Sequence, residues 1–320
     1  MPSPLNTVLT FLPLHMRTGL AALSPIVANQ VEEVRLRSGR PLMLTVGVKD
    51  LFVSVTGATS DPTDAVICLE RDVEQFLQSI TQASLYARED QLRQGFLTLP
   101  GGHRVGVVGE AVLHNGELRT IKNIAGCNIR LARQVPGAAD LLLPRLVLGG
   151  SLAHTLIASP PGCGKTTILR DLARQIANGV PQIGLPGLRV AIADERSEIA
   201  ACYQGVPQLD VGVRSDVLDK CPKVDAVMLL LRAMGPQVVV TDEIGSERDA
   251  WALEEALHCG VILLASAHGS SLSDICRRAG VARLVQRGAF TRLVILSRRQ
   301  GPGTIESVIT LGDSKVKRPC

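Results

Sequence analysis

Aromatic side chains make up only 2% of this sequence, and Trp251 is its sole tryptophan, so the base-stacking platforms used by single-strand binders are not available. Dense lysine or arginine tracts are missing too, and a formal net charge of +4 over 320 residues is mild. An excess this diffuse is compatible with an acidic membrane surface or with nucleic acid, but it describes an ordinary solvated surface better than a dedicated nucleic-acid groove. No C-x-x-C pair occurs among the eight cysteines, which implies a reduced cytosol and neither a zinc site nor a disulfide framework. The N-terminus has no basic n-region, and Pro2, Pro4 and Pro13 interrupt its apolar stretch, so no signal peptide is expected. Even a rich apolar run such as Val224 to Leu231 is closed by Arg232, far short of the ~20 residues that a spanning helix needs. The expected location is therefore cytoplasmic, with any membrane association peripheral.

What is present is ample apolar material: 46% hydrophobic residues in a chain longer than one core usually organises, so two domains are expected. In the first half, Leu5 to Leu23 reads as a weak helix broken near Pro13. V-E-E-V-R-L-R, P-L-M-L-T-V and Leu51 to Val55 follow as strands. Val73, Phe76, Leu77 and Ile80 recur at helical spacing within Leu69 to Arg93. Phe96 to Arg133 returns to strands, with Asn115-Gly116 as a hairpin turn between alternating runs. The expectation is a small α+β domain over residues 1–135, a linker over 136–150 and a second domain over 151–320.

The second domain is organised around S-P-P-G-C-G-K-T-T, Ser159 to Thr167. The apolar run His154 to Ala158 leads into this glycine loop, and the loop opens a helix whose Ile168, Leu169, Leu172, Ala173 and Ile176 share one face. Gly162 and Gly164 let successive N–H groups converge on an anion at a helix N-terminus. Lys165 can reach β- and γ-phosphate oxygens, and the Thr166 hydroxyl is placed for Mg²⁺. The strict phosphate-loop pattern asks for glycine where this chain has Ser159; Pro160 and Pro161 stiffen the first half of the loop and Gly162 supplies the freedom. ATP with Mg²⁺ is the expected ligand, cradled by Ser159, Pro160, Pro161, Gly162, Cys163, Gly164, Lys165, Thr166 and Thr167.

Three further strands end in polar residues. Leu188 to Ala193 delivers Asp194, Glu195 and Arg196, which either belong to a site beyond the strand ends or give way to a helix near Glu198, with Ser197 as its cap and Asp194 as a turn former. Q-V-V-V-T-D-E-I-G runs into Asp242, suited to the Mg²⁺ shell, and Glu243, suited to polarise attacking water. V-I-L-L-A-S-A-H-G ends in Ser266 and His268, where a polar residue can sense the γ-phosphate. Arg104, Arg119, Arg130, Arg133 and Lys122 fall on first-half strands. Most are expected to be solvated, with one or two reaching a nucleotide across a subunit interface. Arg292, Arg298 and Arg299, on a closing hairpin, read as solvated.

These stretches together, with D-E-R-S-E-I-A-A-C-Y, L-S-R-R-x-G-P-G-T, V-R-L-R-S-G-R-P and G-G-H-R-V-G-V, give the chain a resemblance to the stage III sporulation protein AA family over nearly its whole length. These are P-loop ATPases of endospore-forming bacteria that look like relatives of type II secretion and type IV pilus motors. The resemblance implies an α/β protein with a RecA-like P-loop NTPase core, built on a mainly parallel sheet, preceded by a smaller α+β domain. It also implies a hexameric ring on the cytosolic face of a membrane apparatus, here a mother-cell ATPase serving a sporulation channel. Carried residue by residue, it makes Lys165 and Thr166 the phosphate and Mg²⁺ residues and Asp242 and Glu243 the acidic pair. Asp194 to Glu198, Glu195 included, become an acidic box and His268 a histidine-box residue. Arg130 and Arg133, from their position on the first-half strands, are the candidate fingers. A nucleic-acid-associated ATPase and a nucleotide-switched scaffold with little turnover remain the alternatives.

Overall fold

A computed structural model describes residues 3–81 and 96–312. The chain divides into two compact units, Met1–Arg133 and Gln134–Cys320.

In the first unit, α1 (Pro4–Leu9) and α2 (Leu14–Ala21) are separated at Pro13, as the sequence predicts, and α3 (Pro25–Gln30) follows. Ser3 caps α1 by accepting from the Leu5 N–H, with Pro4 at the first helical position, where no intrahelical donor is needed. The strands are β1 (Val31–Arg37), β2 (Met43–Val46), β3 (Lys49–Ser54), β4 (Gly57–Thr59), β5 (Phe96–Thr98), β6 (Arg104–His114) and β7 (Glu117–Arg130). They form a seven-stranded sheet in the order β4-β3-β2-β1-β7-β6-β5, antiparallel at every pairing. The β6–β7 hairpin turns at Asn115 (φ 52°) and Gly116 (φ 81°), the left-handed pair that a two-residue hairpin requires. The helix expected over Leu69 to Arg93 is seen as α4 (Glu70–Thr81), which buries Val73, Phe76, Leu77 and Ile80; the rest of that span lies outside the described residues.

The second unit holds β8 (Thr155–Ser159), α5 (Lys165–Asn178), β9 (Val190–Asp194), β10 (Ser215–Asp219), α6 (Lys223–Met234) and β11 (Val238–Thr241). After them come α7 (Glu247–His258), β12 (Ile262–His268), α8 (Leu272–Ile275), α9 (Ala279–Gln286), β13 (Arg292–Ser297) and β14 (Thr304–Thr310). The sheet order is β10-β9-β11-β12-β8-β13-β14, parallel throughout except for the final β13–β14 pair. Both faces are covered, which is why its central strands read as unbroken apolar runs. Ile157, Ile192, Val240 and Leu264 pack on one side with Ile168, Leu169 and Leu172 of α5. Leu156, Ala193, Val239 and Leu263 pack on the other with Val227 of α6, Leu253 of α7 and Leu284 of α9. Each of the buried Val, Leu and Ile side chains contributes roughly 1.5–3 kcal/mol of burial, so the sheet is a stiff platform for its strand ends.

Residues 136–150, read from the sequence as a linker, contribute Ala139, Leu142, Leu143 and Leu146 to the α5-side core. The Asp171 carboxylate on α5 accepts the Ala139 N–H at 2.9 Å and holds that segment down.

Candidate functional site

The loop between β8 and α5 begins at the buried end of a parallel strand. Ser159 is fully buried and is not among the residues with positive φ, so a side chain is tolerated where the strict pattern has glycine. The left-handed positions are Gly162 (φ 71°) and Gly164 (φ 84°), the latter capping α5. A Cβ on Gly164 would stand 3.0 Å from the Gly303 nitrogen, so the backbone there also needs the missing side chain.

Lys165, the first residue of α5, is buried and folds its ammonium back over the loop. It donates to the Ser159 carbonyl at 3.0 Å and hydroxyl at 3.2 Å, to the Pro160 carbonyl at 3.4 Å, and lies 3.0 Å from His268 Nδ1. Burial lowers its pKa from the usual lysine value, an effect that the Glu243 carboxylate opposes. His268 Nε2 lies 3.1 Å from Glu243 Oε1, and Arg196 holds the other Glu243 oxygen at 3.1 Å. With Nδ1 accepting from the ammonium and Nε2 donating to the carboxylate, the imidazole bridges cation and acid. The Glu243 N–H donates to Ser266 Oγ at 3.1 Å, tying the acidic strand end to β12 beside it.

A cavity of about 460 Å³ opens here. Pro161, Gly162, Gly164, Lys165, Thr166 and Thr167 bound it from the loop, and Asp242, Glu243, Ser266 and His268 from the ends of β11 and β12; Arg196, Glu198 and Pro302 complete the lining. The sequence-read residues Ser159, Pro160 and Cys163 do not line it. Cys163 is buried, and its carbonyl accepts from the Gly303 N–H at 2.9 Å. Glu195 lines a second cavity of about 390 Å³ together with Lys223, Asp225 and Trp251. Arg130 and Arg133 belong to the first unit, where Arg130 lies 3.1 Å from Glu33 and Arg133 donates to the Val31 carbonyl.

Asp194 settles into the turn-forming role that the sequence left open. Its carboxylate accepts the N–H groups of Glu198 (2.8 Å), Ile199 (3.0 Å) and Ala200 (2.8 Å). From the other side Arg170 of α5 donates to the carbonyls of Glu198 and Ile199. No helix starts near Glu198. Ser197 and Ala201 take φ of 56° and 50°, and the two buried side chains clamp the turn between them. That clamp places Arg196 and Glu198 on the cavity.

One participant escaped the sequence reading. Lys223, at the first position of α6, is buried; its Nζ lies 3.7 Å from Asp242 Oδ1 and 3.9 Å from Glu195 Oε2, and it donates to the Glu243 carbonyl. A helix dipole disfavours a lysine at that position, which is the signal that an acid awaits it. Burial pushes Asp242 up to about 6, against the pull of the Lys223 charge.

An acid whose pKa rises on folding favours the folded state below its unfolded value, near 3.8, and loses that contribution as pH rises through about 6. In thermal or denaturant scans without Mg²⁺, Asp242→Asn is therefore expected to gain on the parent protein by roughly 1 kcal/mol between pH 5 and pH 8. A pH-independent difference would mean that Asp242 is solvated in the native state.

The residues present suit a triphosphate and Mg²⁺: a glycine cradle at a helix N-terminus, a lysine over it, a threonine hydroxyl beside it and a buried acid across from it. Among the described residues no group of three or more His, Cys, Asp or Glu side chains could hold a metal ion by itself. Mg²⁺ at nucleotide sites draws most of its ligands from phosphate and water.

Sheet order, loop and acidic strand end together define the RecA-like α/β fold of secretion and pilus motor ATPases. The solved ATPase DotB of Yersinia pseudotuberculosis superposes with a TM-score of 0.57 at 14% identity, over 90% of this chain and 77% of its own. The pilus retraction motor PilT, solved with bound ADP, gives 0.54 at 13% identity, over 82% and 73%. The chain itself belongs to the family described as Sporulation stage III, protein AA, whose model matches residues 6–316. Stage III sporulation protein AA of Bacillus subtilis (strain 168) is 41% identical over 304 residues, covering 95% of this chain and 94% of that one. Among the described residues no helix is long and apolar enough to cross a membrane.

Proposed function

We propose that this chain is the subunit of an ATP-hydrolysing motor, assembled as a hexameric ring in the mother-cell cytoplasm and acting on membrane proteins of a sporulation channel. The observation that carries the reading is the meeting of Lys165 with Asp242 and Glu243 on one cavity at the ends of parallel strands. The near full-length likeness to a stage III sporulation protein and the shared fold of a retraction motor holding ADP supply the context.

In this reading the loop amides from Gly162 to Thr167 and the Lys165 ammonium hold the β- and γ-phosphates. Thr166 and Asp242 would hold Mg²⁺, which neutralises charge on the transferred phosphoryl group when bound. Glu243 orients and deprotonates the attacking water, its backbone fixed by Ser266 and Lys223. His268, in contact with both Lys165 and Glu243, senses the γ-phosphate, and Arg130 or Arg133 of a neighbouring subunit completes the charge stabilisation. Glu195, which meets Asp242 only through Lys223, takes a supporting role.

The purified protein is expected to release phosphate from ATP only with Mg²⁺, and to shift to a ring-sized mass when given a slowly hydrolysed ATP analogue. Absence of both turnover and assembly would sink the motor reading, and assembly without turnover would favour a nucleotide-switched scaffold.

A further inference from the structure

The turn of the β13–β14 hairpin lies against the phosphate loop. The Gly303 N–H donates to the Cys163 carbonyl at 2.9 Å, and Pro302 lines the cavity. From the same turn the Arg298 guanidinium reaches over the loop, one terminal nitrogen 3.4 Å from where a Cβ on Gly162 would stand. Its neighbour Arg299 is committed to Glu306 at 3.0 Å. Arg298 is exposed, and among the described residues its side chain makes neither an ion pair nor a hydrogen bond. The sequence reads it as solvated and the structure leaves it exposed, with its guanidinium standing at a glycine of the phosphate loop.

We propose that Arg298 is a phosphate-contacting residue of the nucleotide site, a second cation beside Lys165 supplied from within the same chain. The proposal rests on the nucleotide reading above and deepens it. A guanidinium presents a planar fork that matches two phosphate oxygens, where an ammonium is a point charge, so the two cations are not redundant. Because Arg298 stands on the hairpin that closes the sheet, a bound triphosphate would also fasten that hairpin to the loop. Among the described residues, the acid of this hairpin, Glu306, is engaged by Arg299 and by the Ser297 hydroxyl.

The test is equilibrium binding of a fluorescent, non-hydrolysable ATP analogue at fixed ionic strength to the full chain and to Arg298→Ala, Arg298→Lys, Arg292→Ala and Lys165→Ala. Arg292 lies on β13, where it donates to Thr310 Oγ1, and controls for simple loss of surface charge. Arg298→Ala is expected to weaken binding roughly 5- to 10-fold. Arg298→Lys should recover part of the loss, and Arg292→Ala should bind within about twofold of the parent, the range of a surface charge of little consequence. Melting temperatures of the Arg298 variants should match the parent, because the side chain is exposed. If Arg298→Ala binds like the parent while Lys165→Ala does not, or if Arg298→Ala and Arg292→Ala lose equally, the Arg298 assignment is wrong and the nucleotide site stands. If the parent itself binds no analogue, both readings fall.

Discussion

Glu243→Gln is expected to lower ATP turnover by about two to three orders of magnitude while leaving nucleotide affinity within about threefold, the loss associated with removing a general base. The replacement is nearly isosteric, so the backbone contacts that fix the residue survive: its N–H on Ser266 Oγ and its carbonyl under Lys223. What disappears is the negative charge between His268 and Arg196, the only change that an attacking water would feel directly. A binding module has no need to orient water, so this variant separates a motor from a switch. Single-turnover phosphate release, measured beside equilibrium binding, reads both quantities. Equal rates for parent and variant would remove Glu243 as the base.

Lys165→Ala is expected to weaken nucleotide binding by about two orders of magnitude, the equivalent of two charge-assisted phosphate contacts at 1.5 kcal/mol or more each. The fold should tolerate the change. The ammonium is a desolvated cation whose removal relieves a burial cost. The melting temperature in the absence of nucleotide should therefore stay within a few degrees of the parent, while the nucleotide-induced increase disappears. A variant that still binds ATP tightly would mean that the anion site lies elsewhere, and with it the whole catalytic assignment.

How much of this was legible in the sequence depended on how local each feature is. Strand, glycine loop and helix from Thr155 to Asn178 are contiguous, so spacing alone places Lys165 and Thr166. The run V-V-V-T-D-E carries its own message, four buried residues feeding an acid pair. The meeting of β11 with β8 is not local, and it rests on a crossover pattern that β12 completes between them. Lys223 carries only the local hint of a lysine at a helix start, because the acid it meets lies about twenty residues further along, in an element that only the folded sheet brings to it. Arg298 stands against a glycine more than a hundred residues away in the chain, which no local spacing announces. β10 was missed for a different reason: S-D-V-L-D is a half-buried edge strand and lacks the apolar run by which its inner neighbours announce themselves. The helix that the sequence offers at Glu198 as one alternative does not form, because Asp194 and Arg170 satisfy the backbone groups of that turn directly, leaving nothing for a helical ladder to gain.

The His268 imidazole bridges Lys165 and Glu243. Ser159 and His268 are paired partners on adjacent strands, so the lysine, the histidine and the acid are wired across one strand boundary. On the nucleotide reading proposed above, a triphosphate that engages the lysine's hydrogens would break this bridge and release Glu243, and departure of the phosphate would let the bridge re-form. Readiness to cut would then be tied to having something to cut.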